Sequence, residues 1–242
     1  MVLTEKFIKP RPFEPTGWVA NLLLFGLPAL GMVAAYYMIP PALVPFMPLS
    51  EARMLAGSLV MVGLLIAALI GFLSEGHPRT FAAFVERFRL TPMKKSGWFW
   101  ALGGLVMYVV LAVIANISVP LIYRAIGFTP PIETAEPWGL SALPLVLITL
   151  VFNILGEEIW WRGYILPRQE LQFGQNAWIW HGILWAFFHA FKWWTIPPLL
   201  FVCLVVPFVA QRTKSTWPGI LSHLVVNGLG IVMALVQILS KP

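Results

Sequence analysis

The stretch LVLITLVFNILGEEIWWR, Leu145–Arg162, decides how the rest of the chain is read. An apolar run, Leu145–Leu155, leads directly into two adjacent carboxylates, Glu157 and Glu158, with Arg162 four residues beyond Glu158. A helix needs roughly 20 mostly apolar residues to cross about 30 Å of hydrocarbon, and the span containing this stretch reads from about Leu140 to Leu166. The whole chain agrees with that reading. Of its 242 residues 59% are hydrophobic and 11% charged, against about 25% charged in an ordinary soluble domain. The mean hydropathy is +0.82. The composition therefore excludes a soluble globular protein, a disordered tail and a collagen-like fibre, and predicts an all-α, polytopic transmembrane helix bundle.

Working outward, six further spans are predicted: about Trp18–Ile39, Arg53–Leu73, Ser96–Ile126, Asn176–Trp194, Leu199–Gln211 and Pro218–Leu239. Pro40-Pro41 is expected to end the first and Pro197-Pro198 to separate the fifth from the sixth, because an imide cannot continue a helix. The count is about seven, within six to eight, since one long segment could hide an eighth. The segment 79–90 is different. Phe81, Phe84 and Phe88 recur on one helical face, with Glu86, Arg87 and Arg89 largely off it. It reads equally as an amphipathic interfacial helix or as a lid packed on the bundle.

With seven alternating spans, twelve Lys and Arg collect on one side (Lys6, Lys9, Arg11, Arg79, Arg87, Arg89, Lys94, Lys95, Arg162, Arg168, Arg212, Lys214) and four on the other (Arg53, Arg124, Lys192, Lys241). That bias places the N-terminus in the cytoplasm. It also accounts for the net charge of +6 as loop charge beside a lipid bilayer, so no nucleic-acid partner is expected. Trp18, Trp98, Trp138 and Trp217 sit near span ends, as an aromatic belt predicts. No repeat or linker divides the chain, which reads as one integral-membrane domain over 1–242 with a catalytic core at about 140–240. The compact length and short loops suggest a prokaryotic plasma membrane.

Ionisable groups inside spans mark function, because they are costly unless paired or facing a cavity. All ten acidic residues are Glu, which removes Asp-dyad chemistry, and the lone Cys203 removes disulfides and CxxC sites. Three clusters remain. Glu158 and Arg162 share a helical face at i, i+4 and are expected to pair, which leaves Glu157 without a local partner and available as a base. His189 follows Trp185-Ala-Phe-Phe in the fifth span, and His181, eight residues earlier, is its decoy. His223 and Asn227 share a face in the last span. Each cluster alone could be a core hydrogen bond that glues helices. Together they can satisfy one another only by converging on a shared site.

These motifs resemble the CAAX protease and bacteriocin-processing (abortive-infection) family of intramembrane endopeptidases, whose signature is E-E-x-x-x-R, F-x-x-x-H and H-x-x-x-N. The first and third stand complete as Glu157-Glu158-Ile-Trp-Trp-Arg162 and His223-Leu-Val-Val-Asn227; the second carries Trp185 where the family has Phe. The resemblance covers about Leu143–Asn227. It implies an endopeptidase acting on a peptide or membrane-protein substrate near the cytoplasmic membrane face. Glu157 would activate water, His189 would hold it, His223 and Asn227 would stabilise the oxyanion, and Glu158 and Arg162 would fix the geometry. A metal-free mechanism is favoured, with zinc on Glu157, His189 and His223 as the alternative. A non-catalytic bacteriocin-immunity or scaffold protein, and a proton-coupled transporter, are the competing functions.

Overall fold

The computed structural model describes residues 14–131 and 140–239. Lys6, Lys9, Arg11, Trp138 and Lys241, used above for orientation and the aromatic belt, lie outside the described residues. All regular structure among those described is helical. The helices are α1 (Trp18–Val33), α2 (Pro40–Leu43), α3 (Leu49–Ser74), α4 (Phe81–Arg87), α5 (Lys95–Ala125), α6 (Leu143–Glu158), α7 (Leu166–Phe173), α8 (Ala177–Phe188), α9 (Ile196–Cys203), α10 (Val205–Thr213) and α11 (Trp217–Leu239). The chain is an all-α membrane bundle, and each expected apolar segment falls on helix.

Four continuous helical runs are long and apolar enough to cross a membrane: Trp18–Met38, Leu49–Ser74, Lys95–Ala125 and Leu143–Thr213. The last has 71 residues. A straight helix of that length would exceed roughly 100 Å at about 1.5 Å per residue, so it must fold back on itself. It does so at identifiable places. A π-helical stretch, Ile159–Ile165, follows α6. A tight 3-10 segment, His189–Thr195, breaks at Lys192 (φ −129, ψ 58), and α9 and α10 meet at Leu204. Gly174 (φ 57) and the 3-10 turn that follows it reverse the chain between α7 and α8, and α8 packs against α7, α9 and α10. The two prolines expected to end the first span instead open α2 at its first positions, where the missing N–H costs no helical bond. A π turn, Ala34–Met38, joins α1 to them.

α3 and α6 run side by side in the same direction. Ser58 and Thr149 share a hydroxyl hydrogen bond of 2.8 Å, Gly156 lies against the Met61 backbone, and Gly71 lies against the Tyr164 ring. Gly156 permits the closest approach, since a Cβ there would overlap the Met61 carbonyl oxygen. That contact sits immediately before Glu157.

The segment 79–90 is a cap docked on the bundle. Thr80 Oγ1 caps α4 by accepting from the Ala83 N–H at 3.2 Å. Phe88 is fully buried while Phe81 stays exposed. Arg87, expected on the polar face, is buried instead because Glu75 at the end of α3 draws it inward. The guanidinium donates to both Glu75 oxygens at 2.5 and 2.9 Å and to the Gly163 carbonyl at 2.9 Å. Arg168 donates to the same carboxylate, and His77 Nε2 lies 2.9 Å from it. Burial pushes the Glu75 carboxyl up, but hydrogen bonds and charge from Arg87 and Arg168 outweigh it and hold Glu75 below its ordinary value.

A depressed carboxylate pKa stabilises the fold fully above the ordinary Glu value, and the contribution is lost as pH falls through the lower folded value. Glu75→Gln should therefore cost about 3 kcal/mol at neutral pH, because it leaves Arg87 buried without its counter-charge. The difference should shrink on acidification. Thermal unfolding in detergent, followed by Trp fluorescence across a pH series, measures both. A loss independent of pH would contradict the assignment.

Candidate active site

Three helices bring the polar clusters to one cavity of about 240 Å³. Glu157 comes from the last turn of α6, His189 from the residue that ends α8, and His223 and Asn227 from α11. Asn153, one turn before Glu157, also lines it, and Trp185, Tyr108, Leu199 and Cys203 supply the rest of the wall around the carboxylate. Glu157 is only 3% exposed.

The sequence left Glu157 without a local partner; the structure supplies two. Asn153 Nδ2 donates to Oε1 at 2.9 Å and the Trp185 indole donates to Oε2 at 2.8 Å. Both donors are neutral. Asn153 in turn accepts from Asn227 Nδ2 at 2.6 Å, so Asn227, Asn153 and Glu157 form one chain. The sequence reading missed Asn153; its place four residues before Glu157 on the same helical face was the signal that could have found it. Trp185 was visible only as a departure from a Phe, and its value lies in the N–H that Phe lacks.

Glu158 and Arg162 do not reach the cavity. They lie behind it, fully buried, with Arg162 Nη1 donating to Glu158 Oε1 at 2.9 Å. His223 Nδ1 lies 2.8 Å from the same oxygen, so the α11 imidazole joins the ionic layer to the cavity. The Arg162 guanidinium rests on the Trp185 ring at 3.7 Å, which fixes the indole that holds Glu157. Gly219 on α11 lies against the Glu158 carboxylate, where any Cβ would collide with it. Close approach of α11 to α6 requires this glycine.

His189 Nδ1 is 3.0 Å from the Trp185 carbonyl oxygen. A carbonyl only accepts, so Nδ1 carries the proton, and in the neutral ring Nε2 keeps its lone pair. His181 is separate from this site. It pairs with Gln169 at 2.6 Å in a buried chain through Asn21 to Thr16 that ties α1 to α7 and α8. Among the described residues no group of three or more His, Cys, Asp or Glu is arranged to hold a metal ion, and the set Glu157, His189 and His223 does not form one.

All three motifs fall within one matched segment. Residues 139–229 match the family model described as Type II CAAX prenyl endopeptidase Rce1-like. This part of the chain is similar to that family. The match bears out the resemblance read from the motifs and supports, in general terms, a CAAX-type intramembrane protease. No curated protein and no solved structure matches the chain.

The two carboxylates of the Rce1-like segment should differ in what they do for stability. Glu158→Gln strands a buried guanidinium and should cost about 3 kcal/mol or more. Glu157→Gln disturbs one of two neutral hydrogen bonds and should cost about 1 kcal/mol. Thermal unfolding of both purified variants tests this, and equal losses would contradict the two-layer arrangement.

Proposed function

We propose that the protein is a membrane-embedded endopeptidase in which Glu157 activates water to hydrolyse a peptide bond, without a metal ion. The observation that carries this reading is the buried Glu157 carboxylate, oriented by two neutral donors on the wall of a cavity shared with His189, His223 and Asn227. Glu157 accepts one proton of the water, and His189 Nε2 accepts a hydrogen bond from the other. The water oxygen attacks the scissile carbonyl carbon. Charge developing on the carbonyl oxygen is met by the Nε2–H of a doubly protonated His223, whose Nδ1–H faces Glu158, and by the second N–H of Asn227, the first being spent on Asn153. Collapse of the tetrahedral intermediate breaks the C–N bond, and Glu157 returns its proton to the leaving nitrogen. Glu158 and Arg162 do no chemistry; they hold Trp185 and His223.

The substrate is a peptide or membrane protein presented from the bilayer. The positive-inside bias supports a cytoplasmic N-terminus, and the scarcity of soluble loops supports residence in a prokaryotic plasma membrane.

Glu157→Gln should fold and lose about 10²–10⁴ in cleavage rate, the usual contribution of a positioned base. Substrate profiling by mass spectrometry, comparing membranes that carry wild type or the variant, reads this out. Full cleavage by the variant sinks the proposal, and bound stoichiometric zinc with chelator-sensitive activity sinks its metal-free form.

Trp185→Phe restores the family's residue and keeps the ring while deleting one hydrogen bond to Glu157. Turnover should fall about tenfold with KM little changed, as one lost hydrogen bond to a charged group predicts. An unchanged kcat would show that Asn153 alone suffices to orient the carboxylate.

A further inference from the structure

Most hydrogen-bond donors on the wall of the Glu157 cavity are committed within it. Asn153 and Trp185 donate to Glu157, His189 Nδ1–H to the Trp185 carbonyl, and one Asn227 N–H to Asn153. The proposed reaction uses His223 Nε2–H and the second Asn227 N–H. Two groups on the wall are left over: the Cys203 thiol, a weak donor, and the Tyr108 hydroxyl, a strong one.

Tyr108 comes from the middle of α5 and is the one residue of that helix on the cavity wall. Between Trp100 and Asn116, α5 carries no other side chain bearing nitrogen or oxygen. Its neighbours Gly104, Met107 and Leu111 line a separate apolar cleft of about 1130 Å³ with residues of α9 and α10. The phenol turns the other way and packs, partly buried, against the core that includes Trp185 and Cys203. A polar group in the middle of an apolar span is costly unless it faces a partner or a cavity. A buried Tyr O–H usually finds its partner within the protein. Tyr108 bonds to no described residue, although the same wall offers the Glu157, Asn153 and Asn227 oxygens and His189 Nε2 as acceptors. Its acceptor is therefore one that enters with the substrate.

Packing indicates which acceptor. α5 packs chiefly against α9, α10 and α11, so the phenol joins the wall beside the helix of His223 and Asn227 rather than α6, the helix of Glu157. Tyr108 lies outside residues 139–229, so the likeness to the matched family assigns it no role. Resting on the endopeptidase reading, we propose that Tyr108 is a further catalytic residue, its hydroxyl donating a third hydrogen bond to the oxyanion of the tetrahedral intermediate. The phenol keeps its proton throughout, and Glu157 alone carries a proton from water to the leaving nitrogen. A carbonyl oxygen offers two lone pairs and the oxyanion three, so the third donor is fully engaged only once the tetrahedral centre has formed. Its effect falls on turnover rather than on substrate binding.

The test uses the full-length protein in detergent with a degenerate peptide mixture, unmodified or S-farnesylated at a single cysteine. The best-cleaved member then serves for kinetics. Tyr108→Phe keeps the ring and removes only the hydroxyl. It should lower kcat about ten- to a hundredfold with KM within about twofold, as loss of one hydrogen bond to a charged group predicts. A phosphinate in place of the scissile amide imitates the tetrahedral oxyanion, and Tyr108→Phe should weaken its binding by a similar factor. The uncleaved peptide should bind Glu157→Gln equally well with and without Tyr108→Phe. A Kd does not depend on how much of a sample is folded, so this comparison stands even where the variant is less stable. A side chain that only packed would shift the thermal midpoint and leave the ratio of phosphinate to peptide affinity unchanged. Unchanged kcat or unchanged phosphinate affinity overturns the role of Tyr108 while leaving the endopeptidase intact, and so does a rise in KM alone. No cleavage of any peptide by wild type takes down the protease reading and this role with it.

Discussion

The ion pair between Glu158 and Arg162 is the constraint around which the late helices are arranged. Both side chains are wholly removed from solvent. Withdrawing two charges from water costs several kcal/mol per ion, and their attraction offsets this only with good geometry and further hydrogen bonds. Here that support is incomplete, because Glu158 Oε2 and the Nε and Nη2 atoms of Arg162 have no hydrogen-bond partner among the described residues. A bundle selected for stability alone would fill this position with apolar side chains. What the pair achieves is convergence. Glu158 draws His223 from α11, Arg162 lies under Trp185 from α8, and both charges ride on the α6 segment that presents Glu157. The π-helical stretch beginning at Ile159 belongs to the same arrangement; such irregularities concentrate at functional sites.

The charges and the Glu157 carboxylate are thereby kept in separate layers. Had Arg162 bonded Glu157 directly, its charge would have favoured the ionised form and made proton abstraction harder. An indole and a carboxamide aim both oxygens without neutralising them. Trp185 belongs to both layers. One ring face takes the guanidinium, the N–H orients Glu157, and the backbone carbonyl fixes the His189 tautomer. A single side chain and its own carbonyl set three of the site's relationships.

Much of this was legible because it is local. The apolar runs located the helices, and i, i+4 spacing gave the Glu158–Arg162 pair and the shared face of His223 and Asn227. What stayed hidden depends on chain segments meeting from afar. Arg87 reads as a solvated cation until Glu75, across a turn, draws it into the bundle. Trp185 reads as a packing residue until Glu157 lies opposite its N–H. The folding back of Leu143–Thr213 was foreseen at Pro197-Pro198, yet the break falls at Lys192, a residue with no special backbone chemistry. Tertiary packing decides that position, and no local propensity announces it.

The same distinction bears on the half of the chain that carries no motif. The Rce1-like segment holds every residue of the proposed chemistry except Tyr108, but its shape is imposed from outside it. Met61 of α3 fixes the approach of α6 at Gly156, and Arg87 grips the Gly163 carbonyl within the π-helical stretch that carries Arg162. The turn after α4 holds the start of α11: Thr216 Oγ1 donates to the Phe88 carbonyl at 2.7 Å, the Thr216 N–H to Arg89 at 3.0 Å, and Trp217 Nε1 to Leu90 at 2.9 Å. Arg89 then pairs with Glu170, which Lys214 also contacts, so the cap is riveted on both sides of the site. These bonds fix the two backbone segments that bear Arg162 and His223, the groups that set Trp185 and the ionic layer. The N-terminal helices and their cap therefore help set the geometry of the candidate site, although, Tyr108 aside, the proposed chemistry uses none of their residues.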